Sequence, residues 1–126
     1  MAKSIVLGNG SLYVGFDFFG QVKDIYFPYI GLENQVGGNF THRIGVWTKE
    51  QFSWLDSGEW KVTIECEPEA LVSLITAVHK SMGVTLIFHD VVYNESNIFL
   101  RKVVVVNDSD SARVIKVFFG HQFQLY

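Results

Sequence analysis

The fold class is decided by residues 71–93, which read LVSLITAVHKSMGVTLIFHDVVY. Two apolar runs, residues 71–80 and 84–93, flank Ser81-Met82-Gly83, and glycine and serine are typical of tight turns. A short helix over residues 67–78 is the alternative, but β-branched side chains are frequent there and favour a strand. The stretch therefore predicts an antiparallel β-hairpin.

Short apolar runs separated by turns continue along the rest of the chain. They predict further strands at residues 4–7, 11–18, 21–27, 42–48, 52–55, 60–65, 98–106 and 113–126. Residues 28–41 are the longest irregular stretch, and loops of that length often carry function. About eight to ten short strands predict an all-β antiparallel sandwich or barrel. The four valines at 103–106 are apolar on both faces, which predicts a cover from a second sheet or another domain.

Composition and charge exclude several classes of function. The 126 residues are 48% hydrophobic and 15% aromatic, which is typical of a folded domain and not of a disordered chain. The net charge is −3 and the basic residues are scattered, so we predict neither a nucleic-acid site nor a basic membrane patch. Because no signal peptide and no apolar stretch of ~20 residues is recognisable, we expect a cytoplasmic protein.

Metal and cofactor chemistry has no motif in this sequence. The single cysteine, Cys66, forms neither an internal disulfide nor a cysteine-based zinc site. The histidines are His42, His79, His89 and His121, and none has the spacing of a zinc ligand pair. His79 and His89 are candidates for a cross-strand pair in the predicted hairpin, which we interpret as packing. We therefore predict no metal and no cofactor.

Two groups of residues are candidates for carbohydrate chemistry. Glycoside hydrolysis needs two carboxylates that span the scissile bond, and the sequence does not select a pair. The candidate carboxylates are Asp17, Asp24, Glu33, Asp56 and Asp90. Aromatic rings stack on sugars. The candidate rings are those of Tyr26, Phe27, Tyr29, Trp47, Phe52, Trp54 and Trp60. For these rings we favour a core or a domain interface over sugar stacking.

Several segments, taken in order, resemble a known family. They are residues 7–12 (LGNGSL), 22–28 (VKDIYFP), 31–35 (GLENQ), 42–47 (HRIGVW), 52–55 (FSWL) and 99–101 (FLR). Together they are similar to the start of prokaryotic glucoamylase-type enzymes of glycoside hydrolase family fifteen. The resemblance runs from about residue 5 to the end of the chain.

The resemblance implies a fold and a role. In that family an N-terminal antiparallel β-sandwich of the supersandwich type precedes an (α/α)₆ helical barrel, whose two glutamates hydrolyse α-glucosidic bonds with inversion. Residues 1–126 resemble only the first part of the sandwich, and the barrel is absent. The resemblance therefore implies a non-catalytic domain without catalytic residues, which packs against a helical catalytic domain. The parent enzyme is expected to be related to glucoamylases, glucodextranases or trehalases.

The resemblance also suggests which residues face the catalytic domain or a sugar. They are Tyr26, Phe27, Pro28, Glu33, Asn34, His42, Arg43 and Trp47. One position departs from the pattern, because Gln35 stands where a histidine is expected in many relatives. That departure weakens the case for a titrating group at this position.

Three further expectations stay open at this stage. The first alternative function is a free-standing carbohydrate-binding module for α-glucans. The second is a small enzyme, which requires two carboxylates about 6.5–9.5 Å apart for inversion. The apolar run at 113–126 continues to the last residue, which we interpret as a truncation or as a chain that expects a partner. Unpaired edges there also predict self-association.

Overall fold

The strands were located in a computed structural model, which describes residues 5–31, 33–37, 41–49, 51–67 and 71–124. The ten strands are β1 (Ile5–Gly8), β2 (Tyr13–Phe16), β3 (Val22–Tyr26), β4 (Arg43–Thr48), β5 (Gln51–Trp54), β6 (Lys61–Cys66), β7 (Val72–His79), β8 (Val84–Val92), β9 (Phe99–Asn107) and β10 (Lys116–Gly120). Over these residues the chain contains no helix, and so none that could cross a membrane. The all-β prediction is confirmed.

The strands form three antiparallel sheets with the orders β1-β2-β3, β10-β4-β5 and β6-β7-β8-β9. The predicted hairpin is the centre of the four-stranded sheet, where Val72 pairs with Val91 and His79 with Val84. Gly83 closes its turn at a φ of 67°, a conformation that glycine adopts without a steric cost. The three sheets pack together as a β-sandwich.

The prediction that His79 and His89 form a cross-strand pair is wrong. The hairpin register pairs His79 with Val84, beside the turn, and His89 with Leu74, near the middle of the strands. Side chains alternate along a strand, and His79 is 2% exposed whereas the side chain of His89 is 34% exposed. The two rings therefore lie on opposite faces of the sheet.

The two three-stranded sheets are joined into one layer by isolated bridges, one of which involves a residue of the predicted loop 28–41. Bridges connect Val22 with His42 and Val36 with Phe123. The Gly37 N–H donates to the Gln122 carbonyl at 2.8 Å. The predicted irregular stretch therefore contains a strand-like segment at residues 33–37, while residues 32 and 38–40 lie outside the described part.

The core lies between this layer and the four-stranded sheet. Phe16 of β2 and Phe99 of β9 meet at 5.8 Å between ring centroids, which joins the two layers. In β8 every second residue is buried, including Leu86 and Phe88. Burying such a side chain stabilises the fold by about 1.5–3 kcal/mol. The apolar residues that recur at every second position of β8 thus form the inner face of this sheet.

The sandwich is open on the side of β9 and β10, which are edge strands of their sheets. Val104 and Val105 are 36% and 42% exposed. The described residues of this chain therefore do not supply the second sheet or domain that was expected to cover residues 103–106. Both strand edges are left with backbone groups available for pairing.

Candidate functional site

A groove opens between the two layers at the free edges of β9 and β10. Its volume is about 310 Å³, which falls at the lower end of the range of ligand pockets. The walls are mainly apolar. They are formed by Val22, Ile25, His42, Ile44, Phe99, Arg101, Val103, Phe119, His121 and Phe123. The groove is therefore the apolar interior of the sandwich, accessible from the uncovered side.

Arg101 is the charged residue in the wall that β9 contributes. Its Nε lies 2.9 Å from Oδ1 of the wholly buried Asp90, and its Nη2 donates to the carbonyl of Gly20. The guanidinium also lies 4.2 Å from the centroid of the Phe88 ring. Burial lowers the pKa of Arg101 and raises the pKa of Asp90, because desolvation outweighs their mutual attraction. The cation is thus neutralised by the fold and is not presented to an anionic ligand.

Two histidines stand at the mouth of the groove. Nδ1 of His42 lies 3.1 Å from Nδ1 of His121, and Nε2 of His42 lies 3.0 Å from the carbonyl oxygen of Gln122. The rings of Phe119, His121 and Phe123 follow one another along one face of β10 and its continuation, with interplanar angles of 9° and 23°. This ladder forms the outer wall of the groove.

The outer face of the β10-β4-β5 sheet carries a second cluster, which we call the aromatic cluster. It consists of Trp47 of β4, Phe52 and Trp54 of β5, and Phe118 of β10. Gly45 lies in its centre, where an added Cβ would come within 2.6 Å of the Phe52 ring. The glycine is therefore needed for the rings to lie against the strand.

Two cations cover faces of the tryptophan rings in the aromatic cluster. The Arg43 guanidinium lies 4.1 Å from the Trp54 centroid, and the Lys116 ammonium lies 4.8 Å from the Trp47 centroid. Arg43 is held there by a bidentate pair with Asp56 at 2.8 and 3.0 Å. Hydrogen bonds from Arg43 are also the main reason why the pKa of Asp56 is lowered.

The eight residues predicted to face a partner are distributed over three places. Trp47 belongs to the aromatic cluster, and Arg43 covers the Trp54 ring of that cluster. His42 lines the groove, because neighbours on a strand point to opposite faces. The other five lie at the end of β3 and in the segment that follows it: Tyr26, Phe27, Pro28, Glu33 and Asn34.

The group near β3 has a mainly structural set of contacts. The Tyr26 ring packs edge-on against Tyr13 at 5.5 Å. Asn34 accepts the Ile25 N–H at 3.0 Å and donates to Asp24 at 2.7 Å, which ties the segment to β3. Phe27 is exposed, and its carbonyl accepts a hydrogen bond from Gln35. Gln35 thus ties the segment that follows β3 back to the backbone of Phe27.

Four of the five candidate carboxylates accept hydrogen bonds that hold the fold together. Asp17 accepts the backbone N–H groups of Phe19 and Gln21, both at 2.9 Å. Asp24, Asp56 and Asp90 accept from Asn34, Arg43 and Ser73. In the described part of the chain no group of three or more histidine, cysteine, aspartate or glutamate residues is placed to hold a metal ion.

Sequence reasoning did not identify the groove as a site. In the sequence Arg101 stands within the segment FLR at 99–101, and His121 has no second histidine at the spacing of a zinc ligand pair. The period of two in residues 113–126 was the available signal, since it places Phe119, His121 and Phe123 on one face. Comparison with known protein families, curated proteins and solved structures found no match to the chain.

Proposed function

We propose that the chain is a non-catalytic β-domain of a glucoamylase-like glycoside hydrolase and packs against a helical catalytic domain. One observation carries the proposal. Of the sixteen large apolar side chains that are exposed in the described part of the chain, eight lie between Ile98 and Phe123. An excess of exposed apolar side chains on and beside two edge strands favours an interaction site there. The family-like segments supply the identity of the partner.

The exposed residues lie on both faces of the strands at the open side of the sandwich. Leu100 and Val104 of β9 point away from the groove, because they alternate with the groove-lining Phe99, Arg101 and Val103. Phe119 and Phe123 line the groove on the opposite side, on β10 and its continuation. A partner that covers this side buries both strand edges together with the groove. Such a role requires no catalytic residue in this chain.

Binding of an α-glucan is the second candidate function, and the aromatic cluster favours it. Phe52 and Phe118 are 42% and 46% exposed on a sheet face, as sugar-binding rings are. Against it, Arg43 and Lys116 already cover faces of the two tryptophan rings. A sugar must displace Arg43 from its pair with Asp56 before it can stack on that face of Trp54. We therefore rank this function second.

The proposed partner is tested with the isolated (α/α)₆ catalytic domain of a prokaryotic glucoamylase. Titration calorimetry should detect binding of the wild-type chain, and Phe119→Asp should weaken it at least about 10-fold because a charge would be buried at the interface. Phe18→Asp is the matched control, since Phe18 is 55% exposed and lies outside residues 98–123. Equal binding by both variants, or no binding by the wild type, contradicts the proposal.

The second function is tested by titration with a maltooligosaccharide. We expect no change in tryptophan fluorescence or in amide chemical shifts of β4 and β5. A saturable change that Phe52→Ala removes, with circular dichroism unaltered, would instead establish sugar binding at the aromatic cluster.

A further inference from the structure

The contacts of His42 and His121 fix where the protons of both rings lie. The carbonyl of Gln122 only accepts hydrogen bonds, so Nε2 of His42, 3.0 Å away, carries a proton. In the neutral ring Nδ1 of His42 is then an acceptor. Nδ1 of His121 lies 3.1 Å from it and has to be the donor. Each ring is therefore held in one tautomer.

The pair responds differently to a first and to a second added proton. A first proton, bound at Nε2 of His121, leaves the bond between the rings in place, and the proton between the two Nδ1 atoms can then belong to either ring. A second proton charges both rings, and two N–H groups then face each other across 3.1 Å. The rings have to separate once both are charged.

Separation of the rings opens the mouth of the groove. His42 is 4% exposed, and its ring is packed edge-on by His121 and Phe123 at 4.9 and 4.8 Å between centroids. When both rings are charged, Nδ1 of His42 needs water as its acceptor, and His121 occupies that position. His121 is exposed and can turn outward, which interrupts the ladder between Phe119 and Phe123.

The charged groups on the surrounding strands do not compensate a charge on His42. Across the groove β9 presents Arg101, which is paired with Asp90. On the other side of His121 lies Arg43 of β4, which is paired with Asp56. β3 contributes only Val22 and Ile25 to the described lining. No carboxylate among the described lining residues faces His42.

We propose that His42 and His121 form a proton-operated latch, which closes the groove at neutral pH and opens it when both rings are protonated. Burial lowers the pKa of His42, and the neighbouring His121 lowers it further, although the bond to the Gln122 carbonyl acts in the opposite direction. The closed form thus binds fewer protons than the open form. The open form gains population as the pH falls below the ordinary histidine value of 6.5.

Long-range ¹H–¹⁵N NMR of the histidine rings tests the latch, since it distinguishes tautomers and follows protonation. At about pH 8 we expect the Nε2–H form of His42 and the Nδ1–H form of His121. Between about pH 8 and pH 5, the step that leaves both rings charged should coincide with loss of the cross-relaxation signal between the two rings and with shifts of the Phe119 ring.

Two variants separate the latch from ordinary titration. His121→Ala exposes Nδ1 of His42 to water, so His42 should take up its proton at a higher pH than in the wild type. His89→Ala is the control, because His89 lies on the four-stranded sheet and its removal should leave the His42 titration unchanged. His42→Gln should abolish the pH dependence of the Phe119 ring signals. If that variant does not fold, His121→Ala decides, since His121 is exposed.

Three results would overturn the latch. One is the Nε2–H tautomer of His121 at about pH 8, which cannot donate from Nδ1. Another is a ring-to-ring signal that persists after both rings are protonated. The third is a change of the histidine resonances on addition of EDTA, which would place a metal ion rather than a proton between the two Nδ1 atoms.

Discussion

The ion pair between Asp90 and Arg101 allows a prediction whose magnitude follows from burial. Asp90 is wholly buried, with Oδ1 at 2.9 Å from Nε of Arg101 and Oδ2 at 2.6 Å from the Ser73 hydroxyl. Arg101→Met leaves the carboxylate buried without its cation, which should lower the free energy of unfolding by about 3–5 kcal/mol. The total free energy of unfolding of a domain of this kind is about 5–15 kcal/mol, so the loss is large.

The double variant Asp90→Asn/Arg101→Met should recover most of that loss. Burial raises the pKa of Asp90 in spite of Arg101 and lowers the pKa of Arg101 in spite of Asp90, so desolvation exceeds the attraction between them. Removing both charges therefore removes the desolvation cost as well, and we expect stability within about 1–2 kcal/mol of the wild type.

Urea unfolding at neutral pH, followed by both tryptophan fluorescence and circular dichroism, measures these differences. If Arg101→Met yields no folded protein, folding of the double variant still demonstrates the coupling. A single-variant loss below about 1 kcal/mol, or a double variant less stable than Arg101→Met alone, would refute the reasoning from burial.

Three other outcomes are expected. Asp56→Asn should lower the free energy of unfolding by about 0.2–1 kcal/mol at neutral pH, since the ion pair of Asp56 with Arg43 is partly exposed. Because Arg43 keeps the pKa of Asp56 below its ordinary 3.8, the difference from wild type in urea unfolding should shrink as the pH falls below that value. Phe88→Ala should lower stability by about 3–5 kcal/mol, whereas Phe18→Ala, at an exposed ring, should change it by less than about 0.5 kcal/mol. Sedimentation should show self-association of the wild type through residues 113–126, weakened in Phe119→Asp; a clean monomer at high concentration contradicts this.

Local patterns were sufficient to predict most of the strands. The hairpin predicted at 71–80 and 84–93 corresponds to β7 and β8, because alternating apolar residues and a glycine turn are properties of neighbouring residues. The run 113–126 was predicted too long. Its regular strand β10 covers only Lys116–Gly120, with Phe123 in an isolated bridge beyond it.

The strand-like segment within the predicted loop 28–41 does not follow from local patterns, since its conformation depends on distant residues. Asn34 and Gln35 are held by β3, and Gly37 by Gln122. Their backbone groups find partners only after β3 and the end of the chain have come together. Because glycines such as Gly31 and Gly37 are typical of turns, the sequence does not indicate a strand-like segment here.

The sequence alone determined the all-β class, the hairpin formed by residues 71–93 and the excess of apolar residues near the end, because all three follow from composition and from the period of two. The place of the hairpin at the centre of the four-stranded sheet came from the tertiary structure. Only the tertiary structure decided which residues share a site. Register placed His79 and His89 on opposite faces, although a hairpin joins them. Sheet packing placed His42 against His121, 79 residues away in the chain. The physical reason is that the direction of a side chain depends on its neighbours in the strand. Strand pairing and layer packing instead join segments that are far apart in the sequence, and no local pattern indicates which of them meet.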